Sequence, residues 1–231
     1  MLDEISPFEL QEPWDNSGLQ VGDPKREVDR IVLSLDLDEK IVDESESNTL
    51  FVVHHPLIFG KLDSLDFSRY PSNLIEKLIL KRDSVIAMHT NFDKTHLNRY
   101  VFENILGFDL FDENGFICRA KGSWNADEIL SRIADRLDMK SPRFVNKKKK
   151  IETVAFVSGA GASMMDEVDA DCFLTGDIKY HDAVKAKSQD MMLVDVGHWE
   201  SERFFPEVIY PVLKKIRISV IITPFESPFA S

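Results

Sequence analysis

The sequence predicts an α/β protein built on largely parallel sheets. Three observations carry this. Short apolar, β-branched segments alternate with segments of helical spacing, which is the rhythm of βα units. The rhythm runs through both halves of the chain without sequence identity between them. The histidine and carboxylate clusters fall just after strand-like segments, where open α/β sheets collect ligands.

Residues 30–36 (RIVLSLD) read as the first strand and residues 40–45 as a helix. Residues 50–53 (LFVV) form the next strand, followed directly by His54 and His55. Residues 74–80 (LIEKLIL) have helical spacing, with Pro71 and Ser72 at a plausible start. Residues 84–88 (SVIAM) form a third strand, followed by His89-Thr90-Asn91-Phe92-Asp93. The polar, glycine-containing stretch 112–124 reads as a crossover. It divides the chain into an N-terminal lobe, 1–120, and a C-terminal lobe, 121–231, with no inserted middle domain. In the second lobe, residues 126–137 are a helix capped by Asn125 or Ser123. Strands follow at 152–157, 171–174, 191–195 and 218–222, with helices at 178–185 and 201–215.

The chain has 231 residues, 43% of them hydrophobic, which suits a globular protein with a real core. No apolar run approaches the ~20 residues that cross a bilayer. The acidic start, MLDEISPFEL, lacks the pattern of a signal peptide, so a cytoplasmic protein with no membrane partner is expected. Cys118 and Cys172 each sit beside apolar residues and read as small buried hydrophobes. Forty acidic against 28 basic residues give a formal charge of −12, which argues against a nucleic-acid partner. The run Lys147-Lys148-Lys149-Lys150 reads as a solvated loop.

Four clusters carry chemistry. His54 and His55 are either a surface loop or metal ligands. Pro56 biases His55 toward an extended backbone, so two adjacent side chains can reach two nearby ions. In His89 to Asp93, Asp93 is a candidate ligand, and His89 a ligand or a hydrogen-bond partner of one. The alternative is a turn capped by Asn91 and Asp93. His198 and Glu202 are four apart after Gly197, so they share one helical face and can converge on one metal. The alternative is a surface ion pair. Asp177 and His181 are either pocket residues or simple caps. Ser158-Gly159-Ala160-Gly161 either cradles phosphate through backbone N–H groups or permits close packing. Of six histidines, His54, His55, His89 and His198 fall just after predicted strands, and His181 is in a similarly placed helix.

PheGluLeuGlnGluProTrpAspAsnSerGlyLeuGlnValGlyAsp near the start, His54-His55-Pro56-Leu57-Ile58-Phe59, His89-Thr90-Asn91-Phe92-Asp93, Thr175-Gly176-Asp177 and Asp195-Val196-Gly197-His198 with Glu202 resemble the family of GTP cyclohydrolase 1 type 2 homologues. They occur in family order and span nearly the whole chain. The resemblance implies two similar α/β lobes related by pseudo-symmetry, with a site for two divalent metals, iron or zinc, in the cleft between them. It implies that His55 and Asp93 bind one ion, His54 and His198 the other, and that Glu202 bridges both. It implies a homo-oligomer, a toroidal hexamer. The family usually begins with a full helix, and this chain starts inside it. The expected function is a metal-dependent hydrolase of a nucleotide-like or phosphorylated small molecule, with His89 or His181 shuttling protons. The alternative is a non-enzymatic metal-binding or interaction protein.

Overall fold

A computed structural model describes residues 1–229 of the chain. It is a mixed α/β protein with two sheets. The chain runs through β1 (Gly18–Val21), β2 (Arg30–Ser34), β3 (Thr49–Val53) and β4 (Ser84–Ala87). It continues through β5 (Asp112–Asn114), β6 (Ile117–Trp124), β7 (Phe144–Val145), β8 (Ile151–Phe156), β9 (Cys172–Thr175), β10 (Met192–Asp195) and β11 (Ser219–Ile222). Two compact units result. One is Met1–Phe92 together with the chain from Phe204 onward, and the other is Asp93–Arg203.

The first unit carries the sheet β1-β4-β3-β2-β11. Its four strands from β11 to β4 are parallel, and β1 closes the edge antiparallel to β4. Val32, Phe51, Val53 and Val85 on these strands pack with Leu74, Ile75 and Leu78 of the helix Ser72–Leu80 and with Ile41 and Val42 of the helix Glu39–Glu44. Asp38 caps the latter helix by accepting from the Ile41 N–H at 2.7 Å.

The second unit carries the sheet β5-β6-β8-β9-β10-β7. Strands β8, β9 and β10 are parallel, while β5, β6 and β7 pair antiparallel. Ala155, Phe173 and Leu193 pack with Ile117, Met165 and Ala186. The helix Ala126–Leu137 begins with a capping box in which Asn125 Oδ1 accepts from the Glu128 N–H and Glu128 accepts from the Asn125 N–H.

The units are not the expected 1–120 and 121–231. The C-terminal strand β11 adds parallel to β2, so the end of the chain belongs with the first sheet. The expected single helix over 201–215 is two helices, His198–Glu202 in the second unit and Phe205–Leu213 in the first. Pro206, whose ring fixes φ and which has no N–H to donate, suits the first turn of a new helix. The expected crossover at 112–124 is the hairpin β5–β6, turned by Gly115 at φ +58° and Phe116. Within His89 to Asp93, where a turn is one of the two readings, Thr90–Phe92 is helical. The second unit then opens with Asp93–Leu97, Asn98–Tyr100 and Val101–Ile105, whose first and last pieces are wound wide. Such widened turns recur at functional sites. No helix of the described residues is long and apolar enough to cross a membrane.

Cys118 on β6 and Cys172 on β9 are fully buried. Burial pushes the Cys118 thiol up to about 12 and raises that of Cys172 as well. Only the thiolate is nucleophilic. The folded protein at pH 8 is therefore expected to resist a thiol-specific disulfide reagent, and the denatured chain to react at both cysteines. Rapid modification of either thiol in the native protein would contradict this packing.

Candidate metal centre

In the first unit the site is built at the ends of β3 and β4. Strand β3 stops at Val53, and the backbone N–H groups of His54 and His55 both donate to the Leu35 carbonyl, at 3.1 and 3.2 Å. Strict strand alternation would send the two rings to opposite faces. With the ladder ended, their ring centroids lie 4.9 Å apart. His89, two residues past β4, brings its ring edge-on to both, at centroid distances of 5.2 and 5.5 Å. One ligand atom from each of His54, His55 and His89 lies within 4.8 Å of the other two.

Each of the three rings is held by its Nδ1. His54 Nδ1 lies 2.8 Å from the Met88 carbonyl oxygen, His55 Nδ1 2.9 Å from Asp36 Oδ2, and His89 Nδ1 2.7 Å from Asp15 Oδ1. All three partners can only accept, so Nδ1 carries the hydrogen and, in the neutral ring, Nε2 carries the lone pair. This is the arrangement that orients metal-binding histidines and makes them better donors. His54 is fully buried and the other two are partly so. Neutral imidazoles in such a group suit zinc, iron, copper or nickel rather than calcium or magnesium. The residues fit a transition-metal ion.

Asp15 is the anchor of His89. Its carboxylate also accepts from the Thr90 N–H at 3.1 Å, the Thr90 hydroxyl and the Ser17 hydroxyl at 3.0 Å. Burial works to raise the Asp15 carboxyl, but the hydrogen bond and charge of His89, with the Thr90 and Asn16 donors, outweigh it and hold the group well below the usual carboxylate range.

The second unit holds the remaining expected ligands. Gly197 takes φ +72°, its N–H donates to Asp195 Oδ1 at 3.2 Å, and the helix His198–Glu202 begins. His198 Nδ1 lies 2.7 Å from Asp177 Oδ2, and His198 Nε2 lies 2.9 Å from Glu202 Oε2. The one-face reading of the i, i+4 spacing therefore holds. Both ring nitrogens face carboxylate oxygens, so a neutral imidazole, with one hydrogen, cannot satisfy both. A second proton or a metal cation at Nε2 resolves the conflict. Glu202 is only 3% exposed.

The glycine-rich loop serves this pair by close packing. A Cβ on Gly159, at φ +56°, would lie 2.0 Å from Glu202 Oε1, and one on Gly176 would lie 2.7 Å from the Gly197 carbonyl carbon. Three of the loop's N–H groups have internal acceptors: Ser158 donates to Asn98 Oδ1, Gly159 to Ser201 Oγ and Gly161 to Thr175 Oγ1.

Asp93 is buried in the second unit, 3.5 Å from the Ser158 hydroxyl. His181 is exposed on the helix Tyr180–Ser188, with its ring edge-on to Tyr180. The structure thus brings together His54, His55 and His89 in one unit, and His198, Glu202 and Asp177 in the other. Sequence reasoning gave no role to Asp15, Asp36 or the Met88 carbonyl. Asp15 stood in the PWDNSG stretch, but nothing local linked it to a histidine 74 positions away.

The family model Duf34/NIF3 (NGG1p interacting factor 3) matches residues 1–228. A Campylobacter jejuni protein named GTP cyclohydrolase 1 type 2 homolog is 42% identical over 229 residues, covering 99% of this chain and 95% of its own. A Helicobacter pylori protein named GTP cyclohydrolase 1 type 2 is 41% identical over 230 residues, with the same coverage of 99% and 95%. The crystal structure of a hypothetical protein from Staphylococcus aureus superposes with a TM-score of 0.86 at 28% identity, over 100% of this chain and 96% of that one.

Proposed function

Since the chain belongs to the Duf34/NIF3 family, we propose that it is a divalent-metal protein that hydrolyses a nucleotide-like or phosphorylated small molecule. The observation that carries the reading is the trio of His54, His55 and His89, each ring fixed through Nδ1 and their ligand atoms within 4.8 Å of one another. The ligand set follows the family resemblance: His55 and Asp93 for one ion, His54 and His198 for a second, and Glu202 for both, with iron or zinc as the metal. Pseudo-symmetric lobes, assembly into a toroidal hexamer and a place in the cytoplasm belong to the same reading. The names of the curated relatives support a guanine nucleotide as the first substrate to try.

When bound, such ions supply Lewis-acid polarisation and a water of lowered pKa. The chain's own part is to orient and to move protons. Asp36 and the Met88 carbonyl fix the His55 and His54 rings. Asp15 holds a hydrogen on His89 Nδ1, so that His89 accepts or releases a proton at Nε2. Asp177 fixes the His198 ring through Nδ1.

The test is elemental analysis of the full chain after loading with Fe(II) or Zn(II) and gel filtration, followed by turnover of GTP and model phosphoesters. About two ions per chain are expected for a dinuclear site. His54→Ala and His55→Ala should each lower the content, and turnover should depend on loading. Sub-stoichiometric metal in the wild type would sink the metal reading. Equal turnover in loaded and chelator-treated protein would sink the hydrolase.

A further inference from the structure

The stretch Trp14 to Gln20 is not used up by the metal reading, beyond Asp15. Its neighbours give it a second role. Trp14 is 57% exposed and Phe59 55% exposed. They stand beside each other, with ring centroids 6.0 Å apart at an interplanar angle of 53°. Both also border His89, at 6.2 and 6.1 Å, and both are nearly perpendicular to its ring. Two solvent-facing aromatic rings thus flank one member of the histidine trio.

The two rings are held in place by polar side chains from the same stretch. Asn16 Nδ2 donates to the Ile58 carbonyl at 2.6 Å, and the Ile58 N–H donates to Gln20 Oε1 at 3.2 Å. Asn16 and Gln20 are themselves joined at 3.3 Å. These bonds staple the loop carrying Trp14 to the loop carrying Phe59. Asp15, between Trp14 and Asn16, holds His89. A single short segment therefore provides one aromatic wall, positions the second and orients the histidine beside both. Rings kept exposed and fixed at the edge of a polar site match a stacking platform for a flat ligand.

We infer that Trp14 and Phe59 form an aromatic platform whose exposed faces stack a planar heteroaromatic ring, of nucleobase type, beside His89. This rests on the proposed function in one respect, that the histidine trio is the reacting centre. Within that function it selects the heterocycle, rather than a phosphate group alone, as the part of the substrate that the first unit recognises. Asn16 and Gln20 are positioning residues, since they act through the walls they staple.

The probes are GMP, AMP and ribose 5-phosphate, titrated calorimetrically and by tryptophan fluorescence into the full chain, both zinc-loaded and chelator-treated. Both nucleotides should bind and quench emission, and ribose 5-phosphate should bind at least tenfold more weakly, because stacking of one base is commonly worth about tenfold or more. Trp14→Ala and Phe59→Ala should each weaken GMP binding by about tenfold at unchanged metal content and melting temperature. Trp14→Phe should keep affinity within about threefold, because a ring remains, yet lose most of the quench. Nucleotide binding that ignores Trp14→Ala, or ribose 5-phosphate binding as tightly as GMP, would overturn the platform. So would a fall in assembly mass by light scattering in Trp14→Ala with GMP affinity unaltered, which would make the rings a contact between copies. Wild-type protein without metal, but with Trp14-dependent GMP binding, would refute the metal reading and leave the platform standing.

Discussion

Gly159→Ala is expected to destabilise the metal-free protein by about 2–4 kcal/mol, combining left-handed backbone strain with overpacking, and to abolish most metal binding. The backbone at Gly159 has φ +56°, and an added Cβ would lie 2.0 Å from Glu202 Oε1 and 2.9 Å from its Cδ. A flexible side chain on the surface would swing away at little cost. Glu202 cannot, because it is buried and faces His198 Nε2 at 2.9 Å. Either the carboxylate leaves its place or the loop moves, and the loop is held by Gly176 N–H donating to the Gly159 carbonyl at 2.7 Å. Gly115→Ala is the matched control. Gly115 has φ +58° in the β5–β6 turn, and nothing lies within 4 Å of its Cβ position. It carries the backbone penalty alone, about 1–2 kcal/mol. Urea unfolding of both variants separates the terms, and elemental analysis reports the metal. Equal destabilisation in the two, with metal retained in both, would mean that the close approach to Glu202 does not matter.

The sequence shows the parallel strands of both sheets because buried parallel strands are near-continuous apolar runs, while the antiparallel β1, β5, β6 and β7 carry no such run and stay hidden. RIVLS, TLFVV, SVIA, CFLT and MLVD are legible within one or two residues. It shows the helix Ala126–Leu137 with its bounds, and Asn125, one of the two candidate caps, is the cap. It conceals which sheet a strand joins. Ser219–Ile222 reads as a strand of the second half, and only its pairing with β2 returns it to the first. The break after Glu202 was written in Pro206, but the apolar run through Phe204, Phe205 and Ile209 masked it. The chemistry of the site was half visible. Histidines just past strand ends mark it, because a strand end is where side chains escape alternation. What orients those histidines was not visible, since Asp15 and Asp36 lie 74 and 19 positions away from the rings that they hold. Long-range hydrogen bonds leave no local period to read.

Glu202→Gln should separate metal binding from folding more cleanly than any other substitution in the chain. Glutamine keeps the volume, so the cavity left by Gly159 stays filled. It replaces a carboxylate oxygen, 2.9 Å from His198 Nε2, by a group that can turn an N–H toward that nitrogen. With Asp177 still accepting from His198 Nδ1 at 2.7 Å, the imidazole becomes satisfied as a neutral ring. The conflict that called for a proton or a cation disappears. The metal-free variant should therefore unfold within about 1 kcal/mol of the wild type, the scale of one exchanged hydrogen bond. Metal binding should suffer, because the amide removes a negative charge from a site where the proposed function sets two cations close together, and their repulsion rises as that charge is lost. The content is expected to fall from about two ions per chain toward one or none. Glu200→Gln removes the same charge two residues earlier, but that carboxylate lies against Gly197, where a Cβ would stand 2.0 Å from its Oε2. It should leave the content unchanged. Anomalous scattering or elemental analysis of the two variants decides the matter: loss in both would make the effect one of general charge, and loss in neither would remove Glu202 from the ligand set.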